Sequence, residues 1–169
     1  MPNGRPASIL DGVSALGGGS PSGLEDDVEA LVKAVRGGEA EAPVFIASLS
    51  GALYLATARS ENGERLFPDV TLLGGELLGA PLLIASAAGS KLIFMDGAAL
   101  WYSDGGVELD RATDAAFQFS DTPSADAANT VSLWQTNTIA FKAIQYVSWR
   151  LADATAIAYI ELPVGSPVV

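Results

Sequence analysis

The most regular pattern of apolar and polar positions begins at residue 24. Ser22 and Glu25 have the spacing of a capping box at the start of a helix, and Gly37-Gly38 would end that helix. Between these signals apolar residues recur every three or four positions, as on one helical face: Leu24, Val28, Leu31, Val32 and Val35. The pattern predicts a helix over residues 24–35, preceded by an irregular lead-in over residues 1–23.

A short strand and a second helix are predicted to follow. Residues 43–47 form an apolar run of strand length. Ser48 or Ser50 can cap the helix behind it, and the apolar spacing continues as far as Ser60. Asn62-Gly63 is a turn signal that would end this second helix.

The middle of the chain reads as strands separated by turns. Residues 81–86 and 91–95 predict two strands that form a hairpin or lie side by side. Residues 101–109 contain a predicted turn at 104–106, where an aspartate precedes two glycines. Residues 115–120 alternate as a further strand, and a polar loop follows it.

Residues 130–149 contain neither glycine nor proline, and their second half alternates as a strand. An uninterrupted strand of this length would reach about 65 Å. A globule of this chain length is only about 40 Å across. We therefore expect the strand to overhang its domain or to bend, and a final strand over residues 155–160 to pair back against it.

Composition narrows the classes of function. The chain has 169 residues, a formal net charge of −11 and no basic stripe, which argues against duplex DNA as a partner. It has no run of eighteen apolar residues and no signal-peptide pattern, so neither a membrane span nor secretion is predicted. Charged residues make up only 17 %, which suggests that other protein covers part of the folded surface.

Catalytic motifs are largely excluded. Without His or Cys there is no Ser-His triad, thiolate chemistry or imidazole-bound zinc, and no nucleotide loop or cofactor motif has the right spacing. Two alternatives stay open. A carboxylate hydrolase would use Asp96, Asp104 and Asp110, and a binding or decoration module would use an aromatic platform at Trp101 and Tyr102.

Several segments resemble the major capsid proteins of tailed phages. Residues 74–86 and 92–96 are similar to that family's "G-x-P-V-I-x-S … I-x-x-D" stretch, and residues 132–142 with Trp149-Arg150 look like its long strand near the carboxy terminus. Residues 6–13 and the helix over residues 26–35 are similar to the interior of those proteins, where the axial domain begins. The motif residues carried over are structural and have no catalytic, cofactor or metal role: Gly75, Gly79, Pro81, Ser86, Asp96, Gln135, Asn137 and Trp149.

The resemblance implies the α+β fold shared by tailed-phage and herpesvirus shell subunits. An axial domain with a small mixed sheet flanked by helices would occupy residues 24–121, after the irregular lead-in. A partial peripheral domain of long antiparallel strands would occupy residues 122–169. The family's amino-terminal arm, extended loop and spine helix have no counterpart here, so we expect the chain to represent the carboxy-terminal half, as a fragment or truncated form.

The resemblance also implies a structural, non-enzymatic role. The expected partners are other copies of the chain in pentameric or hexameric capsomers, together with the missing amino-terminal half, scaffold and portal proteins. The expected location is the virion, assembled in the cytoplasm of a bacterial host. Because the spine helix is absent, the strand over residues 139–149 is expected to expose apolar side chains. Truncating Trp149 would destabilise the fold by about 3 kcal/mol if its ring is buried.

Overall fold

The computed structural model of the protein describes residues 8–16, 23–60, 62–114, 116–118 and 130–164. The helices in these residues are α1 (Leu24–Ala34), α2 (Leu49–Thr57) and α3 (Leu133–Thr136). The strands are β1 (Pro43–Ala47), β2 (Val70–Thr71), β3 (Gly74–Leu77), β4 (Ala80–Ile84), β5 (Lys91–Asp96), β6 (Leu100–Ala112), β7 (Ala116–Gln118), β8 (Thr130–Ser132), β9 (Ala140–Leu151) and β10 (Ile157–Glu161). The chain divides into two compact units. The first comprises Met1–Trp101 with Trp149–Val169, and the second comprises Tyr102–Ser148.

The first unit is built on a six-stranded mixed sheet in the order β10-β5-β1-β4-β3-β2. Strand β1 is parallel to β4 and antiparallel to β5, so that Phe45 pairs with Leu82 on one side and with Phe94 on the other. The prediction that β4 and β5 form a hairpin or lie side by side is therefore wrong. The apolar strand β1 lies between them, because a central position in the sheet gives it more apolar contact than a position at the edge of the sheet.

Both faces of this sheet are covered. On one face, alternate residues such as Leu92 and Phe94 join a core that includes the apolar stripe of α1 and Leu55 of α2. On the other face, Ile93 and Met95 pack with Ile157 and with side chains from the lead-in, namely Ile9, Leu10 and Val13. Burial on both faces explains why β5 is a continuous apolar run instead of an alternating one.

Both predicted helices are confirmed, with different ends. Gly23 occupies the N-cap position of α1 and makes no side-chain hydrogen bond, whereas Ser22 of the predicted capping box lies outside the described residues. The acidic first turn suits the helix dipole. Ser48 caps α2 by accepting a hydrogen bond from the Gly51 N–H at 3.2 Å. Helix α2 ends at Thr57, before Ser60, because Ala58 has extended backbone angles.

The final strand joins the main sheet. Strand β10 is antiparallel to β5, with Ala158 opposite Phe94, so the prediction that it pairs with the long strand is wrong. Its buried side chains, Ile157 and Ile160, find apolar partners on both faces of the sheet. The two units consequently do not divide at residue 121, and their assignment to axial and peripheral domains stays a prediction.

Strands β6 and β9 form a long two-stranded ribbon, which we define by these two strands, and most of their residues belong to the second unit. The predicted turn at residues 104–106 does not interrupt the strand, since β6 runs through it for 13 residues. The Gly106 N–H donates to Asp104 Oδ1 at 2.8 Å, and Gly106 takes a φ of +80°. Gln145 Nε2 of β9 donates to the other oxygen, Asp104 Oδ2, at 3.1 Å. A local Asx turn is thus absorbed within a continuous strand.

Residues 130–149 are not one strand. Strand β8 pairs with β7, then the short helix α3 intervenes, and Asn137 ends that helix with a left-handed φ of 51°. The β-forming composition did not reveal this break, because the Thr136 hydroxyl stabilises the helical turn by donating to Ser132 O at 2.9 Å. The predicted alternating second half is confirmed as β9. The predicted loop at residues 121–128 lies outside the described residues.

Candidate interaction surfaces

Asp96 is fully buried at the end of β5 and is the centre of a polar cluster. Its Oδ1 accepts from the N–H groups of Ala42 (2.9 Å) and Ala98 (3.1 Å), and its Oδ2 lies 2.6 Å from Arg36 Nη1. The Ala42 hydrogen bond, helped by Arg36, holds the pKa of the Asp96 carboxyl below its ordinary value, while Asp96 raises the pKa of Arg36. Asp96 therefore fixes the loop between α1 and β1 and offers no surface to a substrate.

Two of the predicted motif glycines shape the hairpins around β3. Gly75 has a φ of +128°, and a Cβ there would lie 2.2 Å from Asp69 O. Gly79 has a φ of +81° and follows Leu78, whose φ is +52°, so the β3–β4 turn has two consecutive left-handed residues, as primed hairpin turns require. Pro81 lies opposite Glu76 in this hairpin. The backbone geometry of the hairpins thus explains why glycine occupies positions 75 and 79.

The remaining motif residues are separate from this hairpin in the chain and differ in exposure. Ser86 is exposed and begins a 3-10 turn over Ser86–Ala88. Gln135 is exposed on α3, Asn137 is the left-handed residue that ends it, and Trp149 is half-buried on β9. The functional role of the motif residues stays a prediction.

The ribbon exposes large apolar side chains along both strands. On β6 the most exposed are Trp101, Tyr102, Val107 and Leu109, and on β9 they are Phe141 and Tyr146. The expected exposure of β9 is confirmed for Phe141, which is 72 % exposed, whereas Trp149 is half-buried. Trp101 and Tyr102 are consecutive strand residues, so their rings leave opposite faces and do not make one stacking platform.

A second apolar surface was missed from the sequence. The turn between β2 and β3 carries Leu72 and Leu73, which are 47 % and 95 % exposed. The available signal was a pair of leucines between Thr71 and Gly74, in positions where turns favour Gly, Asn or Asp.

Metal and membrane sites receive no support from the described part of the chain. Its Asp and Glu side chains form no group of three or more that could hold a metal ion. None of the described helices is long and apolar enough to cross a membrane.

Comparison with known proteins gives one clear sequence relative. No protein-family model matches the chain. The chain is 30 % identical over 169 residues to the capsid polyprotein of Pseudomonas phage PAJU2, and the match covers 92 % of this chain and 25 % of that protein. The chain thus spans about a quarter of the length of its curated relative.

Solved structures share the fold over nearly the whole chain. A chain from Mycobacterium phage Ogopogo has a TM-score of 0.67 at 17 % identity, covering 94 % of this chain and 56 % of that one. A chain from Gordonia phage Cozz gives 0.65 at 18 % identity, covering 94 % and 52 %. The capsid of an empty GTA particle gives 0.57 at 21 % identity, covering 89 % and 50 %. The α+β fold class predicted from the sequence is confirmed.

Proposed function

We propose that this relative of phage capsid proteins, which has the fold of a capsid subunit, is a structural, non-enzymatic component of a virion shell. The carrying observation is that a phage capsid polyprotein matches it along 92 % of its length. The fold of a chain from the capsid of a GTA particle also covers 89 % of this chain. A shell subunit works by burying surface against its neighbours, so its interaction surfaces are its functional sites.

The ribbon supports this role. Strands β6 and β9, of 13 and 12 residues, form a two-stranded sheet, and each has an outer edge that pairs with no other described strand. A two-stranded ribbon is marginally stable alone in water. Exposed Leu109 and Phe141 add apolar area that water does not favour. We infer that neighbouring protein in the assembly covers the ribbon.

Charge sets the conditions for association. The formal net charge of −11 makes copies repel at low ionic strength. Salt screens this repulsion over about 10 Å at 0.1 M, whereas apolar burial is not weakened by screening. Association of copies should therefore strengthen as salt is raised, unlike the binding of a basic protein to nucleic acid.

The finer features of the proposal follow the family resemblance. Copies would associate in pentameric or hexameric capsomers. An amino-terminal half, scaffold and portal proteins would be further partners, and assembly would take place in the bacterial cytoplasm. The motif glycines, with Asp96, would serve by fixing the shape of the sheet that neighbours contact.

Light scattering and electron microscopy of the purified chain test the proposal. We expect particles larger than a monomer at high micromolar concentration, increasing between 0.05 and about 0.5 M salt as the repulsion is screened. The double variant Leu109→Ser with Phe141→Ser should reduce this association. The matched control is Leu53→Ser, which removes a 50 % exposed leucine from α2, outside the ribbon. A chain that stays monomeric in every condition would contradict the proposal.

A further inference from the structure

The β2–β3 turn presents an unusual apolar tip. Leu73 is 95 % exposed, the largest exposure among the large apolar residues described, and Leu72 beside it is 47 % exposed. A single exposed leucine needs no explanation. Two adjacent exposed leucines in a tight turn need an explanation, because turn positions favour polar residues or glycine.

The tip is also rigid. Thr71 Oγ1 donates to Gly74 O at 2.7 Å and accepts from the Leu73 N–H at 3.3 Å, which ties the two ends of the turn together. A Cβ on Gly74 would lie 2.5 Å from Leu82 O, and one on Gly75 would lie 2.2 Å from Asp69 O, so the backbone is packed closely on both sides. Because the backbone of the turn is already fixed, less conformational freedom is lost when a partner covers Leu73 than on a flexible loop.

An apolar pocket lies at the other end of β3. Its volume is about 240 Å³, and its walls include Val32, Ala40, Pro43, Leu78, Ala80 and Phe94. No lining residue has a polar side chain. Small-molecule sites are usually larger, from about 300 Å³, and carry a few placed polar groups. The size and lining of this pocket suit an apolar side chain instead.

The tip and the pocket cannot meet within one copy. Leu73 precedes the first residue of β3 and Leu78 follows its last, so the two are separated by the length of that strand, roughly 16 Å at about 3.3 Å per residue. Because both belong to the same compact unit, their separation is fixed by the sheet.

The geometry points to a head-to-tail contact between two copies of this chain, in which Leu73 of one copy enters the pocket beside Leu78 of the next. This inference rests on the proposed self-association and assigns it a surface. A contact between two different patches is heterologous, and repeating it closes a ring when the rotation per copy permits. Acidic residues flank both patches in the chain, Asp69 and Glu76 near the tip and Glu39 and Glu41 near the pocket, so screening by salt should favour the contact.

Engineered disulfides test this contact directly, because the chain has no cysteine of its own. Leu73→Cys and Ala40→Cys are made as separate variants, one with a tag that changes its mass, and are mixed and oxidised. A bond forms only when the two Cα atoms come within about 7 Å. We expect a mixed dimer carrying one copy of each. The control replaces Leu73→Cys by Leu53→Cys, an exposed position on α2. Circular-dichroism melts verify that every variant is folded.

A second variant makes the result independent of crosslinking. Leu73→Asp should weaken self-association at least tenfold, whereas Leu53→Asp should change it little. The wild-type chain could associate while the disulfide between the Leu73→Cys and Ala40→Cys variants forms no better than that between Leu53→Cys and Ala40→Cys. It could also associate while Leu73→Cys forms a disulfide only with a second copy of itself. Either result would show that the proposed contact is wrong and would leave the proposed function standing. If neither association nor any crosslink is found up to high micromolar concentration, both are wrong.

Discussion

Arg36 and Asp96 are 60 positions apart in the chain and meet through a contact of 2.6 Å between Arg36 Nη1 and Asp96 Oδ2. Arg36 has a left-handed φ of 49°, a conformation that costs a non-glycine residue roughly 1–2 kcal/mol. Gly37 and Gly38 continue with positive φ values. The ion pair offsets this cost and fixes where the chain enters β1, the strand on which β4 and β5 pair.

Replacing Asp96 by Asn should therefore destabilise the protein. The amide keeps the size of the carboxylate but removes its charge, which leaves the Arg36 bond without its ionic partner. We expect the free energy of unfolding to fall by about 2 kcal/mol, less than for a fully buried pair because the Arg36 side chain is 35 % exposed. Urea denaturation at neutral pH would measure the change.

The matched control for this variant is Glu29→Gln. Glu29 pairs with Lys33 on the outside of α1, and both side chains are more than 60 % exposed. Exposed pairs contribute little, so the urea midpoint should stay within error of wild type. Equal losses for Asp96→Asn and Glu29→Gln would contradict the role given to Asp96.

Acid should weaken the wild-type fold through the same carboxylate. The pKa of Asp96 is lowered in the folded state by the Ala42 hydrogen bond and Arg36, so the unfolded chain binds the proton more readily. The stabilisation is complete above the ordinary Asp pKa of about 3.9 and is lost as the pH falls through the lowered folded value. Unfolding measured from pH 7 down to pH 3 should show the beginning of this loss in wild type and a shallower decline in Asp96→Asn.

Gly75 and Gly79 provide a matched pair of substitutions. Both have positive φ values, but an alanine Cβ at Gly75 would collide with Asp69 O, whereas the same atom at Gly79 meets nothing within 4 Å. Gly79→Ala should cost about 1 kcal/mol from backbone strain alone, and Gly75→Ala about 3 kcal/mol or more. Thermal melts of the two variants would rank them. A smaller effect at Gly75 would show that its neighbours move aside.

Alanine substitutions at Trp149 and Trp134 compare the loss of a half-buried tryptophan with the loss of an exposed one. Trp149 is half-buried on β9, and Trp134 is 78 % exposed on α3. Trp149→Ala should reduce stability by about 2 kcal/mol, below the roughly 3–5 kcal/mol of a buried aromatic residue. Trp134→Ala should be nearly neutral for folding. The two melting temperatures, measured at a low concentration of protein that limits association, would distinguish these expectations.

Local structure was largely predictable from the sequence, since its signals are local. The apolar stripe beginning at Leu24 identified α1, and the alternation around Phe141 identified β9. The break at Asn137 was hidden because a four-residue helix is too short to show a periodicity.

Strand pairing was not predictable, because it depends on residues far apart in the chain. Nothing near Ile157 in the sequence indicates that β10 pairs with β5 instead of the adjacent β9. The six-strand order is decided by which pairings bury the most apolar area. Likewise, the sequence singled out Asp96 as a motif residue and as a candidate carboxylate, but its partner Arg36 could be identified only once the fold brought the two together.

The position of β10 has a consequence for biosynthesis. It covers the outer side of β5, whose last five residues are all buried. During synthesis on the ribosome, β5 emerges before residue 157. Until β10 has also emerged, the outer edge of this apolar strand has unpaired backbone groups. A chain terminated early by a nonsense codon before that residue would keep this edge open and invite intermolecular β-pairing.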